Sequence, residues 1–290
     1  MEHRISILII ALVTAAAACD GEPEELGAID GGEAWSDGGL PGSGGGPGAC
    51  VTLSRQATLP PLDMFIALDT SYSMDFKKKW ISVKAALETF TLDPKLGQMG
   101  LGLSYFPSRT PCASSGYATP AVPMAPLSNA GPQVVTSLGT QRMSGGTPMV
   151  PVLQGALLYA RSWAAAHPDR RTVVLLATDG IPDSTCLSTA GGAKPNTLAN
   201  VVQVAASGVN KRPRINTFVI GVGSELTALN AIARAGLTRK AFLVDTSKDI
   251  RAAFLGALDN IRRTIACEWV LPDAPGYETK LNLADIEVQY

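Results

Sequence analysis

Histidine is almost missing from these 290 residues: His3 and His167 are the whole set, and His3 lies in a segment that reads as removed from the mature chain. That scarcity all but excludes zinc held by histidines and histidine-based proton transfer. No Gly-x-Ser-x-Gly elbow occurs, so the common hydrolase nucleophile has no signature. Gly221-Val222-Gly223 lacks the third glycine of a dinucleotide loop, which leaves a cofactor enzyme without support. There is no excess of positive charge either: the net charge is −1, which argues against nucleic acid as a partner.

What the chain does have is apolar mass. At 46% hydrophobic residues it can bury a full core, and its length suits one large domain with extras. Met1 to Cys19 reads as a targeting segment, with Arg4 in a short polar head, an apolar stretch from Ile5 to Ala18, and small residues before Cys19. That stretch is shorter than the ~20 residues of a spanning helix, so a permanent transmembrane anchor is the weaker reading. Residues 20–49 are Gly-rich and acidic, with no Lys or Arg and no apolar periodicity, and are expected to form a flexible tether.

Beyond Pro60-Pro61 the pattern alternates. Leu62 to Leu68 reads as a buried strand, and Trp80, Val83, Leu87 and Phe90 form the buried stripe of a helix from about Asp75 to Thr91. Gln98 to Phe106 is a second strand, Ala121 to Leu127 an edge strand because prolines are confined to edges, and Pro132 to Leu138 a short helix. Gly145-Gly146-Thr147-Pro148 is expected to open a helix with Thr147 as cap and Pro148 first. Val173 to Thr178 repeats the buried-strand pattern. A helix over Asn196 to Val209, a strand over Ile215 to Ile220, a helix over Leu226 to Ala235, a strand over Ala241 to Val244 and a last helix carrying Ile250, Phe254, Leu258, Ile261 and Ile265 follow. Such alternation predicts an α/β fold: a doubly wound, mostly parallel sheet with helices on both faces.

Two of these strands end in carboxylates. Phe65-Ile66-Ala67-Leu68 runs into Asp69, with Ser71 and Ser73 at alternate positions, and Val173 to Ala177 runs into Thr178-Asp179-Gly180. Open α/β sheets keep their sites where parallel strands give out. Oxygens spaced i, i+2, i+4 in a loop can converge on one point, and hard oxygens around a point suit a small cation such as Mg²⁺. Each position also has a plainer account: Ser71 and Ser73 as turn hydroxyls, Thr147 as a helix cap only, Asp179 as a turn former.

Asp69-x-Ser71-x-Ser73, Thr147 after two glycines and Asp179 in Thr-Asp-Gly together resemble the metal-ion-dependent adhesion site of von Willebrand factor A domains, over roughly residues 60 to 266. The resemblance implies a Rossmann-like fold over residues 50–267 and a bound Mg²⁺, or Mn²⁺ or Ca²⁺. It implies that Ser71, Ser73 and Thr147 hold the metal through hydroxyls while Asp69 and Asp179 act mainly through waters. The remaining position is left for an Asp or Glu carboxylate of a protein ligand. Keeping both carboxylates behind waters leaves the metal under-neutralised and attractive to that carboxylate. Ala16-Ala17-Ala18-Cys19 similarly resembles the cleavage box of bacterial lipoproteins, which implies a lipidated Cys19 and an extracytoplasmic, membrane-held domain in the cell envelope. Asp20 resembles a signal for inner-membrane retention, but the choice of membrane stays open.

With Cys19 set aside, Cys50, Cys112, Cys186 and Cys267 form an even set in an exported chain. Three pairings are possible on paper. Cys50–Cys267 is expected because these two bracket the domain, and Cys112–Cys186 because both lie in loops that follow strands at the metal face. The first bridge would restrain the last helix. Lys77, Lys78 and Lys79 read as the first turn of the helix after Asp69, either a solvated face or a surface that steers an acidic partner. Tyr72 either meets a partner or packs on neighbouring loops. Residues 268–290 read as two strand-like stretches, either docked as a small sheet or part of a longer protein. The expected function is a non-enzymatic binding or adhesion module. The alternatives are a structural envelope protein with a stabilising metal and a metal-assisted hydrolase.

Overall fold

The computed structural model of the chain describes residues 12–15, 60–187, 194–266 and 286–289, which fall in two compact units. In the smaller, β1 (Leu12–Ala15) pairs antiparallel with β8 (Ile286–Gln289), with Leu12 opposite Gln289 and Ala15 opposite Ile286. The strand expected near the chain's end is therefore present, and its partner comes from the apolar stretch near the beginning. The tether over residues 20–49, the lipidated Cys19 and the Cys50–Cys267 bridge lie outside the described residues.

The larger unit alternates strands and helices: β2 (Leu62–Asp69), α1 (Lys79–Thr91), β3 (Gly100–Phe106), α2 (Ser114–Tyr117), β4 (Val122–Pro126), α3 (Leu127–Thr140), α4 (Met149–Ala166), β5 (Arg171–Thr178), α5 (Leu198–Asn210), β6 (Asn216–Gly221), α6 (Leu229–Ala235), β7 (Phe242–Leu243) and α7 (Ile250–Ala266). The sheet order is β4-β3-β2-β5-β6-β7, parallel throughout except for β4 on one edge. The doubly wound sheet read from the sequence is the observed one. Because the chain passes from β2 to β3 on one side and later to β5 on the other, the strand order reverses between β2 and β5. A crevice at the carboxyl ends of strands forms at such a reversal.

The period-2 alternation of the buried strands divides the core in two. Met64, Ile66, Leu68, Val173 and Leu175 face one helical layer with Val83 and Leu87 of α1, Val134 of α3, and Phe254 and Leu258 of α7. Phe65, Ala67, Val174 and Leu176 face the other, with Val152 and Ala156 of α4, Val201 of α5 and Ile232 of α6. Both faces of β2 and β5 are covered, which is why these strands are uninterrupted apolar runs.

Two helix starts differ most from expectation. α3 begins at Leu127 and runs through Pro132. Leu127, Ala130, Val134 and Leu138 make one continuous buried stripe. Pro132 leaves the carbonyl of Ser128 without its i+4 donor, at a residue that is exposed. Burying Leu127 contributes about 2 kcal/mol, which offsets much of the roughly 3 kcal/mol that a proline costs in a helix interior. α1 begins at Lys79 rather than near Asp75, because Phe76 is extended and Lys77 and Lys78 are left-handed, with φ of 52° and 57°.

Cys112 and Cys186 are bonded, as expected, 74 positions apart in sequence. In the chain-entropy model a closed loop of that size stabilises by about 4 kcal/mol. The double variant Cys112→Ser/Cys186→Ser should lose about 2–4 kcal/mol of unfolding free energy in a urea titration.

Candidate metal centre

The site is built from the ends of β2 and β5 upward. Leu68 pairs with Ala177 in parallel register, so the two strands give out together and set Asp69 beside Thr178. Asp69 is fully buried, with both oxygens engaged: Oδ1 accepts the Ser71 N–H at 2.7 Å, and Oδ2 accepts the Thr178 hydroxyl at 2.6 Å. Burial pushes its carboxyl up to about 7, against the downward pull of the bonds from Thr178 and Ser71.

In front of Asp69 the oxygens converge. The Ser71 and Ser73 hydroxyls lie 3.1 Å apart, and Asp179 Oδ1 accepts from Ser73 at 2.8 Å and from Ser71 at 3.5 Å. Thr147 Oγ1 lies against Gly180, the residue after Asp179, at 3.5 Å from the point a Cβ there would occupy. The structure thus joins Ser71, Ser73 and Asp179 in one hydrogen-bonded cluster in front of Asp69 and sets the Thr147 hydroxyl beside Gly180, next to it. Their donor set, three hydroxyls and two carboxylates, contains no nitrogen or sulfur, and it fits a hard divalent cation. Among the described residues no three His, Cys, Asp or Glu side chains form a metal-holding group, so a cation here depends on the hydroxyls.

Thr147 is not a helix cap. Pro148 takes the N-cap position with ψ of 65° and no side-chain cap bond, and α4 starts at Met149. That extra residue of turn leaves the Thr147 hydroxyl to the site. The loop is held from two sides. Tyr72 N–H donates to the Gly145 carbonyl at 3.1 Å and Ser144 N–H to the Thr70 carbonyl at 2.8 Å, tying it to the Asp69 loop. On the other side Asp183 Oδ2 accepts the Thr147 N–H at 2.8 Å, and Asn196 Nδ2 donates to the Thr147 carbonyl at 2.9 Å while its Oδ1 accepts from Val150 N–H at 3.1 Å. Gly145 needs its φ of 74°, and a Cβ on Gly146 would strike Asp183 and Thr185.

Sequence reading missed Thr178, Asp183 and Asn196, which work by holding other residues. A polar residue next to Asp179 was a signal for Thr178; nothing marked Asn196, which is buried by the fold. The lysine triplet also needs correction. Lys77 and Lys78 are exposed and precede the helix, in a left-handed turn that costs about 1–2 kcal/mol per residue. Lys79 is neither a solvated residue nor one free to steer a partner. Its Nζ donates to Asp179 Oδ2 at 2.6 Å, and its side chain is only 13% exposed. The turn at Lys77–Lys78 separates the three and turns the last one inward. Tyr72 is 60% exposed and sets its ring edge-on to that of Phe76, itself 52% exposed, so the ring packs on its own loop and also faces outward. His167 follows the C-terminal end of α4, whose opposite end adjoins the site; an 18-residue helix is about 27 Å long.

No protein-family model matches the chain, and no curated protein does. Solved structures do. The pilus adhesin SpaC of Lactobacillus rhamnosus GG matches with a TM-score of 0.50 at 15% identity, over 73% of this chain and 31% of that one. Proximal thread matrix protein 1 of the mussel byssus, a structure with a zinc-occupied MIDAS motif, has a TM-score of 0.47 at 19% identity, over 72% and 48%. The manganese-loaded TRAP protein of Plasmodium vivax has a TM-score of 0.42 at 16% identity, over 68% and 74%. This chain thus spans about a third of SpaC and about half of the byssus protein.

Between about pH 4 and 7 the folded, metal-free protein holds a proton on Asp69 that the unfolded chain, ionising near 3.8, has released. Stability in EDTA should therefore fall as pH rises through that window and level off above it, checked by urea titrations across pH. Asn196→Ala strands buried partners and should cost about 1–3 kcal/mol in the same assay at fixed pH.

Proposed function

We propose that this chain, which has the von Willebrand factor A fold, is a non-enzymatic binding module that holds a divalent cation at the ends of β2 and β5 and takes a carboxylate of a protein ligand on it. The observation that carries this reading is the convergence of Ser71, Ser73 and Asp179 within hydrogen-bond distance in front of a buried Asp69. Hydroxyls directed at a cation leave its charge largely intact, whereas carboxylates behind them hold it in place. A cation so held supplies Lewis acidity toward an outside carboxylate. In this arrangement Ser71, Ser73 and Thr147 would bind the metal and Asp69 and Asp179 would orient and charge the site. Mg²⁺ is the assigned ion, because oxygen-only donors and few carboxylates suit a small hard cation that keeps some of its waters.

The exposed Tyr72 and Phe76 support a protein as the ligand, since they place an apolar, aromatic surface on the loop that carries Ser71 and Ser73. Lys77 and Lys78 add positive charge at the same loop and suit an acidic partner. We assign the module to the cell envelope on the strength of the Cys19 cleavage box, with the Gly-rich residues 20–49 as its tether. Cleavage ahead of Cys19 would remove β1, so its pairing with β8 belongs to the uncleaved chain.

A pull-down from envelope extract should recover partners in Mg²⁺, lose them in EDTA and regain them when Mg²⁺ is restored. Asp69→Ala should abolish capture while circular dichroism stays native. An identical partner set with and without EDTA would sink the reading.

A further inference from the structure

One charge at this site has no place in the ligand set. Lys79 Nζ lies 2.6 Å from Asp179 Oδ2, and the carboxylate it meets is fully buried. The two oxygens of Asp179 are thereby divided. Oδ1 takes the Ser73 and Ser71 hydroxyls, and Oδ2 takes the ammonium. Asp69 has no such partner; its oxygens are held by neutral donors, the Ser71 N–H and the Thr178 hydroxyl.

The backbone is shaped for this contact. Lys77 and Lys78 are both left-handed, a conformation L-residues rarely adopt, and they stay in solvent while Lys79, the first residue of α1, reaches the site. A surface lysine with no task would not need that turn. Strain of this kind next to a cluster of polar groups is found where local geometry serves function.

We propose that Lys79 sets how tightly the site holds its divalent cation. It is a tethered cation that pre-neutralises Asp179, so that the site presents less negative charge to an entering metal. The ammonium keeps Asp179 paired when no metal is bound, so the loops are assembled beforehand. The same charge repels the metal, and the site is tuned to modest affinity, loading and unloading with the free-ion level. This rests on the metal reading above and adds to it a residue that opposes binding. A residue that merely positions Asp179 would act with the opposite sign: its removal would weaken metal binding.

Mn²⁺ titrations of the full chain, by calorimetry and by electron paramagnetic resonance, decide between the two. Lys79→Met should bind Mn²⁺ about tenfold more tightly than the wild type, because a like charge is lost at a poorly screened position. Lys79→Arg, which keeps the charge, should stay within about threefold of it. In EDTA, Lys79→Met should melt at a lower temperature than the wild type, since Asp179 loses its partner, and saturating Mn²⁺ should raise its melting temperature by more. Lys79→Gln serves if the methionine variant does not fold. Wild-type binding that is lost in Asp69→Ala but unchanged or weakened in both neutral variants overturns the role of Lys79 and leaves the metal reading standing. No Mn²⁺ binding by any of these proteins overturns both.

Discussion

Two carboxylates at the ends of adjacent parallel strands are the constraint on which the rest of this structure depends. Asp69 is fully buried and Asp179 nearly so, and the register of β2 against β5 sets the two strand ends side by side. Like charges so placed, away from water, are unfavourable unless each oxygen has a donor. Every element around them answers that need. Backbone N–H and hydroxyl donors hold Asp69, the two serines meet one oxygen of Asp179, and an ammonium meets the other. A divalent cation would complete the same compensation.

The loops that supply these donors are held less by their own sequence than by one another. Thr147 is fixed through its backbone, by Asp183 and Asn196 on one side, while its neighbours Ser144 and Gly145 bond the Asp69 loop on the other. The Cys112–Cys186 bond ties the segment after Asp183 to the loop after β3. A hydroxyl aimed at a cation is useful only if it stays aimed, and a side chain with one rotatable bond takes its aim from its backbone. The opposite end of β2 shows the structural use of the same chemistry: there Asp63 is buried against Arg170 and the Trp163 indole, with all its donors supplied by the chain. It is a closed pair, whereas the Asp69 end is surrounded by hydroxyls and an exposed aromatic edge.

The sequence by itself determined the sheet and its helices, and it singled out the five oxygen-bearing residues from which the metal site is proposed. Uninterrupted apolar runs mark strands covered on both faces, and the residue at which such a run breaks, Asp69 or Asp179, is the residue at the sheet's end. Spacing then placed Ser71 and Ser73 near Asp69 because they are neighbours in the chain. Local patterns carry local geometry, and the helix starts that failed, at Asp75 and Pro132, failed where the pattern was read without its packing. Only the tertiary structure decided the partners of the site. Thr178, Asp183, Asn196 and Lys79 act on groups whose place depends on how the loops fold back, 100 residues apart in the case of Lys79 and Asp179. A lysine beside two others looks like solvated surface until the chain turns at φ of 52° and 57° and carries one of them inward. The physical reason is that hydrogen bonds and ion pairs are made between neighbours in space, and in this site those neighbours come from strands that only the fold sets side by side.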